Sequence, residues 1–522
     1  MPVLHATNIS YQFEDGETLF HNLSFTMVKQ RVALVGRNGA GKSILASVIS
    51  GEKKPSTGAI TLPDSHAVYH QQPSELMSSE LSVARFLGKH HVLKAIQMIE
   101  SGHCSQHWFD IVGNEWDLPE RLRNQLTNLG LPSDPYMPCS QLSGGQLARL
   151  RLYQIFQNEV ELVILDEPSN HLDASGKQWL IESMQSFPRS VLLISHDREL
   201  LYQMEEIWEL SSLGLRVYGG NYDTYTEQKR TESESVERQL NQVNKQAKWL
   251  NLQAQRNREK ADKRAAKGRK LNKEGSQSKL LLNSKKDKAT SRVSSRNKSE
   301  KSRQTTLQHT ELALNARKEH IAKQYLCFSN HSIRSRKVIS VCEGVLPFGN
   351  AKPITFQCHS NEKLHLTGNN GSGKSTLLQV ITGKACLKQG TLLVNTPLYF
   401  LDQHFTAIRP KLSILENVIL QCDKAAEMNA RTLLSGIGFT RERVFQLGNT
   451  LSGGEKMKLA MLIASQQATL PLLLLDEPDN HLDLDSKLTL ANALKKYRGG
   501  FILVSHDKDF AEETGITRQI KL

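Results

Sequence analysis

Short apolar runs punctuate the chain: RVALVG (31–36), LVILDEP (162–168) and SVLLISHD (190–197), each set between stretches with helical spacing. Runs of this length bounded by loops read as buried strands. Strands that alternate with helical segments predict a parallel sheet wrapped by helices, an α/β fold. The same order of patterns recurs in the second half, so a duplicated α/β domain is expected.

The duplication is explicit in the residues. GRNGAGKS (36–43) returns as GNNGSGKS (368–375), LSGGQ (142–146) as LSGGE (451–455), LDEPSNHLD (165–173) as LDEPDNHLD (475–483), and ISHD (194–197) as VSHD (504–507). The offset is 332 at Lys42 and Lys374 but 310 at Asp166 and Asp476, so the first copy carries 22 more residues between these motifs. The excess lies between Gln72 and Ser143, 71 positions apart against 49 for Gln403 and Ser452. It reads as a helical arm over about residues 85–135. The expected domains are residues 1–220 and 328–522, with a linker at 221–327.

The linker has a different pattern. No Gly or Pro occurs from Asn221 to Lys267 or from Ser276 to Glu343, and Gly268 and Gly275 are the breakers between. Leu240, Val243, Ala247, Leu250 and Ala254 follow steps of three and four, a coiled-coil seam, and Leu307, Leu314 and Ile321 recur at sevens. Two long helices paired antiparallel are expected, turning near Gly268–Gly275, with the tip near residues 260–285. The Ser/Lys-rich part (284–306) also suits an extended loop, and a disordered charged tether is the alternative for the whole segment.

Charge sharpens this picture. The chain has 522 residues and a net charge of +13, and residues 221–320, with 25 Lys+Arg against 12 Asp+Glu, account for all of it. Charge so concentrated points to a polyanionic partner. KADKRAAKGRK (260–270) is its densest part, with Lys260, Lys263, Arg264, Lys267, Arg269, Lys270 and the nearby Lys273 as the candidate contacts to that polyanion. A solvated coiled coil whose charges only maintain solubility is the plainer reading. The longest apolar runs, such as LPLLLL (470–475), fall far short of the roughly 18–20 residues needed to span a bilayer. MPVLHATNIS has no secretory pattern, and seven scattered cysteines without a CxxC spacing argue against disulfides or a zinc site, so a cytoplasmic protein is expected.

GxxxxGK[ST] after an apolar strand is a phosphate-binding loop, whose backbone N–H groups and following helix N-terminus cradle phosphate oxygens. Gly36, Asn38, Gly39 and Gly41 build the first; Gly368, Asn370, Gly371 and Gly373 build the second, with Thr376 beside it. Lys42 and Lys374 should reach the β- and γ-phosphates, and Ser43 and Ser375 should offer hydroxyls to Mg²⁺. Asp166 and Asp476, at strand ends, suit the same ion. Glu167 and Glu477 are placed to polarise a water as general bases. His196 and His506 suit the γ-phosphate, and Gln72 and Gln403 suit phosphate and metal.

Together these motifs resemble ATP-binding-cassette ATPases of the P-loop NTPase class, over both halves of the chain. The resemblance implies two tandem cassettes that pair head to tail around two ATP molecules. Ser143, Gly144 and Gly145 would then complete the site on the second phosphate loop, and Ser452, Gly453 and Gly454 the site on the first. Tyr11 and Phe348 are the candidates for the aromatic that stacks on adenine in this family. LSGGE in place of LSGGQ, and Asn361 where a Gly is common, are departures that remove no catalytic group. The NHLD form of both copies, the first-copy arm, YGGNYDTY (218–225) and the basic hairpin resemble the ABC-F class in particular. That class implies a monomeric, ribosome-associated translation or antibiotic-resistance factor, bound at the tRNA exit site with its hairpin toward tRNA and rRNA. Two other readings stay open: the ATPase subunit of a membrane transporter, against which NHLD counts, and a DNA-directed cassette protein. The latter expects a basic C-terminal extension, whereas 16 residues follow His506.

Overall fold

The computed structural model describes residues 3–70, 81–103, 105–170, 172–273, 298, 301–315, 317, 336–402, 405–421, 427–439, 441–466, 471–480 and 482–522. They form two units: Met1–Thr224 together with Gln324–Leu522, and Tyr225–Lys323.

Each repeat in the larger unit has two sheets. In the first, β1 (Leu4–Gln12), β2 (Thr18–Met27) and β4 (Thr57–Thr61) make a small antiparallel sheet with β1 central. The other strands are β3 (Arg31–Gly36), β5 (His66–Tyr69), β6 (Leu162–Asp166), β7 (Ser190–Ile194), β8 (Glu206–Ser211) and β9 (Gly214–Gly219). They form a sheet of order β5-β6-β7-β3-β8-β9, parallel except for the closing β8/β9 hairpin. The second repeat matches it with β10 (Lys337–Val345), β11 (Ile354–His359) and β13 (Gln389–Val394) in the small sheet. Its large sheet uses β12 (Lys363–Thr367), β14 (Leu398–Leu401), β15 (Leu472–Asp476), β16 (Phe501–Val504) and β17 (Arg518–Lys521), in the order β14-β15-β16-β12-β17. The phosphate-loop strands β3 and β12 lie inside these sheets, covered on both faces, which is why their sequences are near-continuous apolar runs. Val32, Ala33, Leu34 and Val35 are wholly buried.

Three helices of the first repeat matter to the site: α1 (Lys42–Ile49), α2 (Gly144–Gln157) and α3 (Ala174–Ser186). The extra residues of this repeat include helices at His90–Glu100 and Leu118–Asn128, whose Leu93, Ile96, Leu118, Leu122 and Leu126 pack with Leu147 and Leu150 of α2.

The second unit is dominated by α4 (Tyr222–Lys273), whose 52 residues correspond to about 78 Å at 1.5 Å per residue. Its start explains YGGN: Gly220 turns the chain at φ 106°, and Asn221 Oδ1 accepts the Thr224 N–H at 3.3 Å. Residues 301–315 form a second helix, α5. Leu314 and Leu307 of α5 pack on Val236, Leu240 and Val243 of α4. Gln304 donates to Asn251 at 3.3 Å while Arg317 meets Glu232 at 3.5 Å, so the two helices run antiparallel, in keeping with the expected hairpin. One detail differs. α4 continues through Gly268 to Lys273, so this glycine does not end the helix. A single Gly costs about 1 kcal/mol relative to Ala, and the Lys, Arg and Ala around it are strong helix formers. Gly275 lies outside the described residues.

The corresponding helices of the second repeat are α6 (Lys374–Ile381), α7 (Gly453–Ser465) and α8 (Leu484–Lys496).

Candidate functional site

Both phosphate loops leave the carboxyl end of a central strand and run into a helix, the position where open α/β sheets bind ligands. Gly41 and Gly373 sit immediately before α1 and α6 at φ 94° and 100°. A Cβ at Gly41 would lie 2.6 Å from Leu19 Cδ2, and one at Gly373 would lie 2.7 Å from Leu346 Cδ1. Both the turn and the packing therefore demand glycine. Lys42 Nζ donates to the carbonyls of Gly36 (2.9 Å) and Arg37 (3.1 Å), and Lys374 Nζ to those of Gly368 (2.8 Å) and Asn369 (3.1 Å). Burial lowers the pKa of both lysines. Glu167, Asp483 and Asp166 oppose that shift in Lys42, and Glu477, Asp173 and Asp476 oppose it in Lys374.

The next strands over supply the acids. Ser43 hydrogen-bonds Asp166, and Ser375 Oγ donates to Asp476 Oδ1 at 3.2 Å. Asp166 Oδ1 is buried and has no hydrogen-bond partner among the described residues. A hydroxyl beside a carboxylate suits Mg²⁺, which takes few protein oxygens and completes its shell with phosphate and water. Glu167 and Glu477 both adopt left-handed backbone, φ 48° and 49°, with their N–H groups bonded to Ile194 O (2.8 Å) and Val504 O (2.9 Å). A non-glycine residue in that region is uncommon and is held there by its surroundings. Burial pushes the Glu167 carboxyl up to about 7, against the pull of Lys42 and Lys487. His196 Nε2 lies 3.8 Å from Glu167 Oε1, and His506 Nε2 lies 3.5 Å from Glu477 Oε1. Burial holds the His196 imidazole well below its ordinary pKa, so it is neutral. Neither His196 Nε2 nor His506 Nε2 has a hydrogen-bond partner among the described residues, although both are buried and both histidines line the same cavity.

That cavity, about 930 Å³, is shared by the two repeats. Asn38, Gly39, Gly41, Lys42, Ser43, Asp166, Glu167 and His196 line it beside Ser452 and Gly453 of the second repeat. Asn370, Glu477 and His506 line it beside Ser143, Gly144 and Gly145 of the first. The signature serines sit at helix starts for a local reason. Ser143 accepts the Gln146 N–H while the Gln146 side chain accepts the Ser143 N–H, a reciprocal capping box on α2. Ser452 and Glu455 repeat it on α7. Glu in LSGGE thus does what Gln does in LSGGQ, and adds an ion pair with Arg443 at 2.5 Å.

Contacts across the repeats are polar. The Asn38 N–H donates to Asp483 Oδ2 at 3.0 Å, Arg37 meets Asp485 at 3.6 Å, and Arg198 forks onto both oxygens of Glu513 at 2.8 and 3.0 Å. Asp173, the counterpart of Asp483, is instead bound by Arg149 of its own repeat, with Ser175 and the Gly176 N–H.

The expected adenine stackers divide. Register shifts in β1 between Thr7 and Ser10, and in β10 between Cys342 and Val345, match the two repeats at an offset of 335. On that offset Phe348 pairs with Phe13, and Tyr11 pairs with the buried Leu346. Phe13 lines the cavity, whereas Tyr11 packs edge-on against Phe13 at 5.6 Å and close to Phe20 at 6.1 Å, as a border residue of the core. Phe348 is 78% exposed. Gln72 and Gln403 lie outside the described residues. The sequence reading also passed over Lys177 and Lys487, which recur at the 310-residue offset. They pair with Asp197 at 2.6 Å and Asp507 at 3.0 Å, deep beside the cavity. Asp197 and Asp507 outweigh burial and hold both ammonium groups charged.

A family model described as ABC transporter matches residues 20–170 and 351–480, more than half of the chain, with both phosphate loops and both LSGG turns. The chain belongs to the ABC transporter family. It is a two-cassette ATP-hydrolysing protein of that family, of the ABC-F type. The ATP-binding protein YdiF of Bacillus subtilis is 28% identical over 559 residues, covering 100% of this ABC protein and 80% of the relative. The ATP-binding protein Uup of Escherichia coli is 28% identical over 524 residues, covering 93% and 75%. Two solved structures share the fold at 14% identity. One is the archaeal ribosome recycling factor aABCE1 in complex with ribosomal stalk protein aP1 (TM-score 0.51, 98% of this chain and 87% of that one). The other is RNase-L inhibitor (TM-score 0.52, 99% and 87%). Among the described residues of this ABC protein, no helix is long and apolar enough to cross a membrane.

Proposed function

We propose that this ABC-F ATPase acts on the ribosome, with ATP controlling when its basic hairpin engages RNA. The observation that carries the proposal is the far half of α4, a helix on which Lys260, Lys263 and Arg264 are exposed and along which Lys267, Arg269, Lys270 and Lys273 continue. A stiff basic rod suits a crevice lined by phosphates, where counterion release supplies affinity without sequence preference. The shared fold with aABCE1, an archaeal ribosome recycling factor, supports the same direction by analogy of fold. The chain would work in the cytoplasm as a monomer, bound at the tRNA exit site, and protection of the ribosome from drugs near the peptidyl-transferase region is part of the proposal.

At each ATP site Lys42 or Lys374 would bind the β- and γ-phosphates. The signature residues of the other cassette, Ser452 with Gly453 and Gly454, or Ser143 with Gly144 and Gly145, would cover the γ-phosphate. Ser43 with Asp166, and Ser375 with Asp476, would hold Mg²⁺, which when bound offsets phosphate charge. Glu167 and Glu477 would take a proton from the attacking water, and His196 and His506, neighbours of those acids, would orient the γ-phosphate. Gln72 and Gln403 would complete the metal and phosphate contacts, and Phe13 and Phe348 would face adenine.

The test is the double variant Glu167→Gln/Glu477→Gln, which keeps ATP binding but removes the base. It should co-sediment with ribosomes in ATP and stay there; a variant that sediments free at low salt overturns the ribosomal reading. Tighter binding to duplex DNA than to ribosomes at one fixed salt concentration would favour the DNA-directed alternative. Neutralising Lys260, Lys263, Arg264, Lys267, Arg269 and Lys270 together should spare basal ATP turnover and flatten the salt dependence of ribosome binding.

A further inference from the structure

Lys487 lies in the first turns of α8, whose start is fixed against the opposite cassette. Its N–H donates to Asp483 O at 2.9 Å, and Asp483 Oδ2 accepts the Asn38 N–H of the first phosphate loop at 3.0 Å. The lysine is therefore carried to the first ATP site by the same turn that docks on that site's loop. Its side chain is 9% exposed, lines the shared cavity, and donates to Asp507 at 3.0 Å. An enclosed ammonium is costly unless carboxylates surround it. Here Asp507 and Asp479 of its own cassette face it together with Asp197 of the other. Asp197 also binds Lys177 at 2.6 Å, so two cations and two anions alternate across the cassette interface. The field of Lys487 acts on Glu167 and His196, both on the first cassette. The arrangement is lopsided, because the second cassette carries Asp479 where the first has Ser169.

We propose that Lys487 is a positioning residue that acts in trans. Through the positive charge it places near Asp197, the immediate neighbour of His196, it steadies the His196–Glu167 pair of the first cassette only when the second cassette is docked. Pairing of the cassettes would thus become a requirement for turnover at that site, separate from ATP binding. The proposal rests on the reading that hydrolysis at the first site uses Glu167, and its test can fail separately from that reading.

The experiment traps 8-azido-ATP with vanadate in the full chain, photolabels it, and maps the label to each cassette by peptide mass spectrometry. Lys487→Met should lower trapping on the first cassette at least five-fold and change the second less than two-fold, with the KM for ATP within two-fold. Lys487→Arg should retain both labels. Because Lys487→Met leaves buried carboxylates unpaired, Lys487→Met/Asp507→Asn, which removes a charge of each sign, is read alongside it and should show the same first-cassette loss. Equal loss on both cassettes, loss mainly on the second, or no loss overturns the trans role. Glu167→Gln separates the two ideas: if it keeps full first-cassette trapping while Lys487→Met loses it, the base assignment falls and the lysine stands.

Discussion

Glu167 and Glu477 are the catalytic candidates whose backbone adopts the left-handed region that non-glycine side chains disfavour. Each takes a left-handed turn directly after a buried strand, and each is bonded through its N–H to the neighbouring strand. The turn aims an acid at the cavity instead of continuing the strand pleat. The aromatic positions need finer reading. Phe13 faces the cavity and Tyr11 braces it from behind. Phe13→Ala should therefore raise the KM for ATP by about 5- to 30-fold, the equivalent of about 1–2 kcal/mol of base stacking. Tyr11→Ala should lower the melting temperature while leaving KM within about two-fold, as the loss of a core-edge ring would. Steady-state ATPase assays and thermal melts of the two variants check this. The distinction could not be read from the sequence because it depends on the strand irregularity near Asn8, which shifts the register before Tyr11 is reached.

At the scale of elements, the departure LSGGE proves local and conservative. Glu455 holds the same capping box that Gln146 holds in the first copy. Burial would raise its carboxyl, but the Ser452 N–H and Arg443 outweigh burial and hold it below the ordinary range. A carboxyl with a lowered folded pKa stabilises the protein above its unfolded value of 4.5, and that contribution fades as pH falls through the folded value. Glu455→Gln should thus cost about 0.5–1 kcal/mol at pH 7, discounted for the half-exposed Arg443, with the gap to the parent closing below about pH 4.5. Denaturant melts at several pH values measure it. In the hairpin, Leu240→Ala removes a buried seam contact with α5. It should lower local stability by about 2 kcal/mol, speeding amide exchange around Val236–Val243 roughly 30-fold. The strands, the phosphate loops and this seam were legible because apolar periodicity and glycine chemistry are local signals. The extent of α4 was not, since Gly268 signals a break that its helix-forming neighbours override. Lys177 and Lys487 were in plain view as a repeat, but an isolated lysine in a helix carries no chemical signature until its buried partners are known.

For the molecule as a whole, the important property is that one cavity is walled by both cassettes. The first phosphate loop, Asn370 of the second and both signature turns line it, and hydrogen bonds and ion pairs join the two cassettes. Polar interfaces of this kind open and close at modest cost, as interdomain contacts within a chain generally do. The two sites are not mirror images: Asp483 reaches the opposite phosphate loop, while Asp173 is bound by Arg149 of its own cassette. Unequal turnover at the two sites is the expected outcome of these partners, without any missing catalytic group, and single-site Glu→Gln variants assayed for ATPase activity check it.

Because a single chain supplies both walls of that cavity, the partner of each half-site is always tethered within reach. Docking is a first-order event, governed by an effective concentration that dilution cannot change. Specific ATPase activity should hold constant from micromolar protein down to picomolar, where a pair of separate cassettes would fall apart and fall silent. An enzyme assembled this way keeps its activity when a cell holds only a few copies of it.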